Sequence, residues 1–420
     1  MTPVAVVLAT ILELGGADPL GCRSARRFDC PPLGRFAESS VRLGLEVVLT
    51  DSLHLIQGKR LGLVANHATV DRQGVHAVDR LRAAGMTLVA LLSPEHGFRG
   101  TAAPGEAVAS TVDSATGLPI YSLYGKTLAP TSEMLASVDL LVVDLPDVGA
   151  RYFTYLSTTT EVMKAARTAG KTVILLDRPN PIGGLVQGAV LDSAFRTFVG
   201  RLTVPMRHGL TLGEQALLAN AELGIGAKLI VVPTSGWRRR DDAVVTRFPF
   251  VAPSPNLKDL ESLFHYPGTC LFEGTALSVG RGTEVPYSQI GAPWLDTAAV
   301  LHIVRQARLP GVAFEGRSFT PVDPADGKFP ETLVAGIRLR LTDRHRYDPT
   351  VTAVALLSAI YRIHGDRIGF IPSHFDRLAG SQALRAQLVA GVSRARIVAE
   401  WAPARRQYLL RRKPFLLYPG

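Results

Sequence analysis

Five short apolar runs separated by helical stretches constrain this chain more than any other feature. They are Leu61 to Ala65, Thr87 to Leu92, Asp139 to Asp144, Thr172 to Asp177 and Lys228 to Val232. None shows the apolar/polar alternation of a half-solvated strand, so each is expected to be covered on both faces. Between them, Asp71 to Ala84 puts Val75, Val78 and Leu81 on one helical face and stops at Gly85. Thr131 to Val138, Glu161 to Thr168 (ended by Gly170) and Leu212 to Leu223 also read as helices. Strands alternating with helices predict an α/β fold: a Rossmann-like, doubly wound and mainly parallel sheet.

A chain of 420 residues exceeds one ordinary core. After about residue 240 the pattern changes. Glycine-rich loops (Tyr266 to Thr275, Gly280 to Thr283) precede helices at Thr297 to Ala307 and Val351 to Ile363 and a strand-like stretch, Thr332 to Leu341. The expected organisation is an N-terminal segment (1–40), a Rossmann-like catalytic domain (41–262) and a smaller α+β domain (263–420) that completes the cleft. Val4 to Leu12 is a short apolar run without a basic start, compatible with the remnant of a secretion signal and thus with an extracytoplasmic location.

Composition narrows the partners. The net charge is +10, which favours anionic ones. Nucleic acid is not expected, because no basic stretch is interleaved with aromatics. No run approaches the roughly 20 apolar residues of a membrane span. The three cysteines (Cys22, Cys30, Cys270) form no CxxC pair, and no HExxH or HxH spacing occurs, so no metal is expected. Cys22 and Cys30 are close enough in sequence for a disulfide in an oxidising compartment. No GxGxxG or GxxxxGK[ST] follows a strand, so no nucleotide cofactor is expected either.

Ligands of such sheets bind beyond the carboxyl ends of the strands, and those ends are polar here. The first closes on Asn66-His67, the second on Pro94-Glu95-His96-Gly97-Phe98-Arg99, the third on Asp144 and Asp147 to Tyr152, the fourth on Asp177-Arg178-Pro179-Asn180. Glycoside hydrolysis needs a carboxylic acid and a base or nucleophile, which a rigid strand-end carboxylate can supply. Glu95, on a tight turn, is the first candidate acid. Glu273, between Phe272 and Gly274, is the second, its apolar company being expected to raise its pKa. Asp147 and Asp177 are the remaining strand-end carboxylates, each close to an arginine (Arg151, Arg178) that could ion-pair with it. Arg99, Arg151, Arg178 and Arg281 offer planar forks for a carboxylated sugar. Tyr152 and Tyr155 could form a wall for a pyranose ring. Asn66, His96, Asn180, His208 and Asn256 complete the candidate contacts.

Taken together, several long motifs resemble the exo-β-N-acetylmuramidases of the NamZ/YbbC type. They are Ser93 to Gly100, Gly117 to Gly125, Asp147 to Tyr152, Asp177 to Pro181, Val204 to Gly209, Ser254 to Asn256, Tyr266 to Gly282 and Ile290 to Trp294. The resemblance spans roughly residues 42 to 420. It implies hydrolysis of a non-reducing terminal N-acetylmuramic acid from peptidoglycan fragments, in a cleft between the two domains, with no metal or nucleotide. It points to Glu95, in Pro-Glu-His-Gly, as a catalytic residue. Asn66-His67-Ala68 departs from the family's Thr-Asn-Pro-Thr-Gly, and Leu145-Pro146 from its Ile-Gln. The alternatives are a non-catalytic cell-wall sugar-binding protein and a hydrolase of another carboxylated sugar.

Overall fold

A computed structural model describes residues 41–98 and 110–420. Arg99, Cys22, Cys30 and the run Val4 to Leu12 lie outside the described residues. The first half contains α1 (Gly44–Thr50), β1 (Arg60–Val64), α2 (Ala77–Ala83), β2 (Thr87–Ser93), β3 (Thr111–Val112), β4 (Pro119–Ser122) and β5 (Leu140–Val143). It continues with α3 (Tyr155–Thr168), β6 (Thr172–Leu176), the hairpin of β7 (Gln187–Val190) and β8 (Pro205–Arg207), α4 (Leu212–Glu222) and β9 (Lys228–Val232). Seven strands form one sheet in the order β3-β4-β2-β1-β5-β6-β9. All pairings are parallel except that of β3 with β4.

The first four apolar runs are each divided between two cores, which is why they do not alternate with polar residues. The fifth, β9, lies at the sheet edge with Ile230 exposed and is not covered on both faces as expected. Leu61, Leu63, Leu91, Leu140, Val142, Ile174 and Leu176 face one cluster with Leu45 and Val48 of α1 and Val78 and Leu81 of α2. Leu92, Leu141, Val143, Val173 and Leu175 face the other, against Val162 and Met163 of α3 and Leu218 of α4.

The second half comprises α5 (Ala243–Thr246), α6 (Leu260–Thr269), β10 (Gln289–Ala292), α7 (Thr297–Gln306), β11 (Val312–Phe319) and β12 (Val334–Leu341). Helices α8 (Pro349–His364), α9 (Pro372–Ala379), α10 (Ala383–Val389), α11 (Arg394–Glu400) and α12 (Ala402–Arg412) follow. Strands β10-β12-β11 make a small antiparallel sheet. The cluster over α3 and α4 runs on to Phe264, Phe272, Ile337 and Leu357, so this smaller domain packs on the second face of the large sheet. No described helix is long and apolar enough to cross a membrane.

Three helices differ from expectation, α3 by starting at Tyr155 and not at Glu161. Only Ala77–Ala83 of the stretch 71–84 is helical, because the Asp71 side chain accepts from Gln73 N and Val75 N and bends the chain first. Thr131 to Val138 forms turns, with Ala136 N→Glu133 O and Val138 N→Leu135 O at i→i+3 spacing; it is too short to repay helix nucleation.

The last residues of the chain return to the large sheet. Tyr418 stacks edge-on against Trp237 at 4.9 Å, and its hydroxyl donates to Asp177 at 2.5 Å. Leu417 N donates to Glu214 Oε1 at 2.8 Å, and Arg239 N to Pro419 O at 2.9 Å. Glu214 is fully buried; it also accepts from Thr211 N in the capping box of α4 and pairs with the Arg239 guanidinium.

Asp177 is buried at the centre of this latch, and burial pushes its pKa up to about 6 from 3.8. This happens although Thr211 Oγ1 (2.6 Å), Tyr418 and Gly213 N (2.8 Å) all donate to it. An acid that holds its proton more tightly folded than unfolded favours folding while protonated. That contribution is whole below pH about 4 and is lost as pH rises through about 6. Urea unfolding between pH 4 and pH 7 should therefore show a loss on the order of 3 kcal/mol that Asp177→Asn no longer shows.

Candidate active site

Glu95 sits two residues beyond β2, on a turn closed by Gly97 N→Pro94 O at 3.1 Å. His96 (φ 72°) and Gly97 (φ 75°) are both left-handed, and for histidine that conformation is costly and must be imposed by its surroundings. The turn is clamped from two sides. Phe98 packs edge-on against His76 at 5.3 Å. The buried Tyr155 hydroxyl accepts from Asn66 Nδ2 at 2.6 Å and lies 3.4 Å from Glu95 O and 3.2 Å from Pro253 O. One hydroxyl thus joins the ends of β1 and β2 to the loop 252–256.

The Glu95 side chain is only 9% exposed. Thr154 Oγ1 donates to its Oε2 at 2.7 Å. Thr154 is the N-cap of α3, yet its hydroxyl caps no backbone N–H, being turned toward Glu95 instead. The carboxylate therefore lies at the partly positive end of that helix. Tyr124 lies just past β4, and burial together with the Glu95 charge pushes the tyrosine pKa up to about 12.

The other candidate carboxylates are engaged elsewhere. Asp147 Oδ2 accepts from Gly149 N (3.1 Å) and Gln215 Nε2 (3.0 Å). His208 Nδ1 accepts from Leu210 N at 3.1 Å, which leaves the proton on Nε2, 3.4 Å from Asp147. Asp177 belongs to the C-terminal latch described above. Glu273 Oε1 accepts from Arg281 Nε (2.8 Å), Arg281 Nη2 (2.5 Å) and the Tyr287 hydroxyl (2.8 Å). Burial alone would raise its pKa, but Arg281 and Tyr287 outweigh burial and hold it below the usual value. This corrects the expectation of a raised pKa. The carboxylate faces a guanidinium and a phenol, not its apolar sequence neighbours, and it stays ionised.

The arginines form neither of the ion pairs that sequence proximity suggested. Arg178 reaches across to Asp144, with Nε–Oδ1 2.5 Å and Nη2–Oδ2 3.0 Å, because β5 and β6 are adjacent parallel strands. Arg151 is buried and donates to the carbonyls of Ala189, Val204 and Leu378, tying the third strand end to α9. Burial lowers its pKa. Asn180 is also interior, donating to Leu210 O at 2.8 Å and accepting from Ile182 N at 3.1 Å.

Tyr152 and Tyr155 are interior as well, so neither forms an open wall for a sugar ring. Tyr152 instead starts an aromatic ladder: 6.0 Å to Tyr266, then 4.8 Å from Tyr266 to Tyr287, which touches Glu273. Asn256 is 8% exposed, and its amide makes no hydrogen bond among the described residues. It lies on the loop that Tyr155 holds, and Lys258 Nζ of the same segment donates to Thr283 O at 2.9 Å beside Arg281. The loop 252–258 thus borders the Glu95 turn at one end and the Arg281 loop at the other.

Comparison with known proteins identifies the lineage of this arrangement. The family model for the N-terminal region of exo-beta-N-acetylmuramidase NamZ matches residues 61–261, and that for its C-terminal region residues 264–418. This chain belongs to the NamZ family. It is 40% identical over 381 residues to the peptidoglycan beta-N-acetylmuramidase NamZ of Bacillus subtilis (strain 168), covering 90% of this chain and 91% of that one. Two crystal structures of DUF1343 family proteins from Bacteroides fragilis are similar, with TM-scores of 0.83 and 0.75. Each is 31% identical and is covered completely, against 91% of this chain.

Within this NamZ chain, the departure at Asn66-His67 has a structural use. His67 Nε2 bonds to Ala252 O at 2.8 Å and helps hold the loop that carries Asn256. Thr154, whose hydroxyl meets the Glu95 carboxylate, and Tyr124, whose pKa the Glu95 charge raises, stand outside the candidates the sequence offers. Tyr124 was visible only as part of the Gly117 to Gly125 motif, and Thr154 carried no signal.

Proposed function

We propose that this NamZ chain is an exo-acting glycoside hydrolase that removes N-acetylmuramic acid from the non-reducing end of peptidoglycan fragments, with Glu95 as its proton donor. The observation that carries this reading is the Glu95 carboxyl itself. It is rigidly mounted beyond a strand end, held by Thr154, and adjoins a loop whose Asn256 amide makes no hydrogen bond among the described residues. Family membership and 40% identity to a peptidoglycan beta-N-acetylmuramidase support the reaction class. In this mechanism Glu95 gives its proton to the glycosidic oxygen as the C1–O bond breaks, the bonding pair moving to that oxygen. Water then adds its oxygen to C1, and its released proton restores the one Glu95 gave up. Glu273, held ionised by Arg281, is suited to stabilising positive charge and not to donating a proton. The reading includes an extracytoplasmic location, which the apolar run Val4 to Leu12 supports.

The test uses two disaccharides, one ending in N-acetylmuramic acid and one in N-acetylglucosamine, alongside intact peptidoglycan. Free N-acetylmuramic acid is expected from the first, with little release from the other two. Equal cleavage of both disaccharides would remove the muramic-acid specificity.

A further inference from the structure

The loop 252–258 is pinned along its whole length. His67 Nε2 bonds to Ala252 O at 2.8 Å, and the Tyr155 hydroxyl lies 3.2 Å from Pro253 O. Leu257 N donates to Ser254 O at 3.0 Å, closing a turn with Pro255 and Asn256 at its centre, and the Leu257 side chain is buried in the core. Lys258 Nζ donates to Thr283 O at 2.9 Å. A loop held this firmly has every opportunity to pair its own polar side chains, yet Asn256 is left over. It is 8% exposed and its amide makes no hydrogen bond among the described residues. The unpaired Ser93 hydroxyl nearby in the chain to Glu95 is sealed from solvent; the Asn256 amide is not. A buried donor without an acceptor costs stability, and a carboxamide brings two such N–H groups. Sites that bind a ligand carry such a cost because the ligand supplies the missing partner.

We propose that Asn256 recognises the 2-acetamido group of the terminal sugar, with Nδ2 donating to the acetyl oxygen. The inference rests on the substrate being an N-acetylmuramic acid glycoside. The Tyr155 hydroxyl that lies against Pro253 O stands 3.4 Å from Glu95 O, so one group sets the loop and the Glu95 turn against each other. A sugar whose C1 oxygen meets the Glu95 carboxyl carries its acetamido group on the next carbon, C2. Charge argues against the other distinctive substituent, the lactyl carboxylate, which calls for a guanidinium fork. Asn256 is neutral, and the neighbouring forks are committed, Arg281 to Glu273 and Arg178 to Asp144. The sequence around the amide suits an acetyl methyl as well, since Asn256 stands between Pro255 and Leu257, with Pro253 close before them. A sugar hydroxyl would meet the amide but leave that apolar company without a partner.

The experiment measures binding, so its outcome does not depend on which group donates the proton. Isothermal titration calorimetry compares N-acetylmuramic acid with 3-O-lactylglucose, which keeps the carboxylate but has a hydroxyl at C2 in place of the acetamido group. Wild type is expected to bind the first at least about 10-fold more tightly. Asn256→Ala should bring that ratio below about 3-fold, chiefly by weakening the N-acetyl sugar. Asn256→Asp, which has the same outline and keeps an oxygen but no N–H, should lose the ratio too. Without ligand, Asn256→Ala should melt at or above the wild-type temperature, because alanine removes an unpaired buried group; an amide with a structural role would lower it. A ratio that survives in either variant, or a fall of more than about 4 °C in the ligand-free alanine variant, overturns the proposal. Equal binding of the two sugars by wild type overturns it as well. Wild type that binds neither sugar removes the muramic-acid reading itself, and the proposal with it.

Discussion

Replacing Glu95 with glutamine is expected to lower kcat/KM on a muramic-acid-terminated disaccharide by roughly 10²- to 10⁴-fold while leaving the melting temperature almost unchanged. Glutamine has the shape of the native side chain and still offers Thr154 Oγ1 an acceptor in place of Glu95 Oε2, now 2.7 Å away. It cannot give up a proton to a departing oxygen. The backbone hydrogen bonds of the turn, Gly97 N→Pro94 O and the Tyr155 contact at Glu95 O, do not involve the side chain and should persist. Steady-state kinetics and thermal unfolding of the purified variant check both halves. A variant that melts well below wild type would make the lost activity a folding effect, and full activity would discard Glu95 as the acid.

The largest loss of stability is expected from Glu214→Ala, at roughly 3–5 kcal/mol. Glu214 is fully buried and serves three partners at once: the Thr211 N–H that starts α4, the Arg239 guanidinium, and Leu417 N. Alanine leaves Arg239, itself almost completely buried, as an uncompensated cation and leaves two backbone donors unpaired. Glu214→Gln keeps the acceptor oxygen but not the charge, so it should fall between alanine and wild type. Urea unfolding followed by Trp237 fluorescence reads this directly, because Trp237 packs against the Tyr418 that Leu417 positions. A loss below about 1 kcal/mol for the alanine variant would mean that the pair is solvated in solution.

The contrast between these two residues marks what could be read from sequence. Glu95 was legible because its environment is local: a strand end, then proline, glycine and a tight turn. The parallel sheet was legible for a similar reason, since unbroken apolar runs such as Leu140 to Val143 record burial on both faces. Partnerships across the fold were not. Arg178 stands next to Asp177 in the chain but bonds to Asp144, because strand adjacency outranks sequence adjacency at the end of a parallel sheet. Thr154 lies before a Ser-Thr-rich stretch, residues 157–160, whose helix propensity is poor. Helix α3 begins at Tyr155 and not near Glu161 because those residues are buried by packing, and a start placed too late hides the N-cap that faces Glu95. The pKa of Glu273 departs from its apolar sequence surroundings for the same cause: its controlling neighbours, Arg281 and Tyr287, lie eight and fourteen residues away.

The C-terminal latch sets an order of events for a chain emerging during synthesis. Tyr418 and Asp177 are 241 residues apart, and closing a flexible loop of that length costs about 5 kcal/mol in chain entropy before any contact is rewarded. Until residues 417–419 have been made, β6 ends in a carboxylate lacking one of its donors, and Glu214 lacks its contact with Leu417. The large sheet is complete in sequence by Val232, yet its interior polar groups are not fully paired until nearly two hundred further residues have been added. A fragment ending near residue 261 would carry every strand of that sheet and still be left with an open polar seam, prone to bind other chains or be cleaved, and ribosome-bound chains of increasing length should gain protease resistance only once the last turn is released.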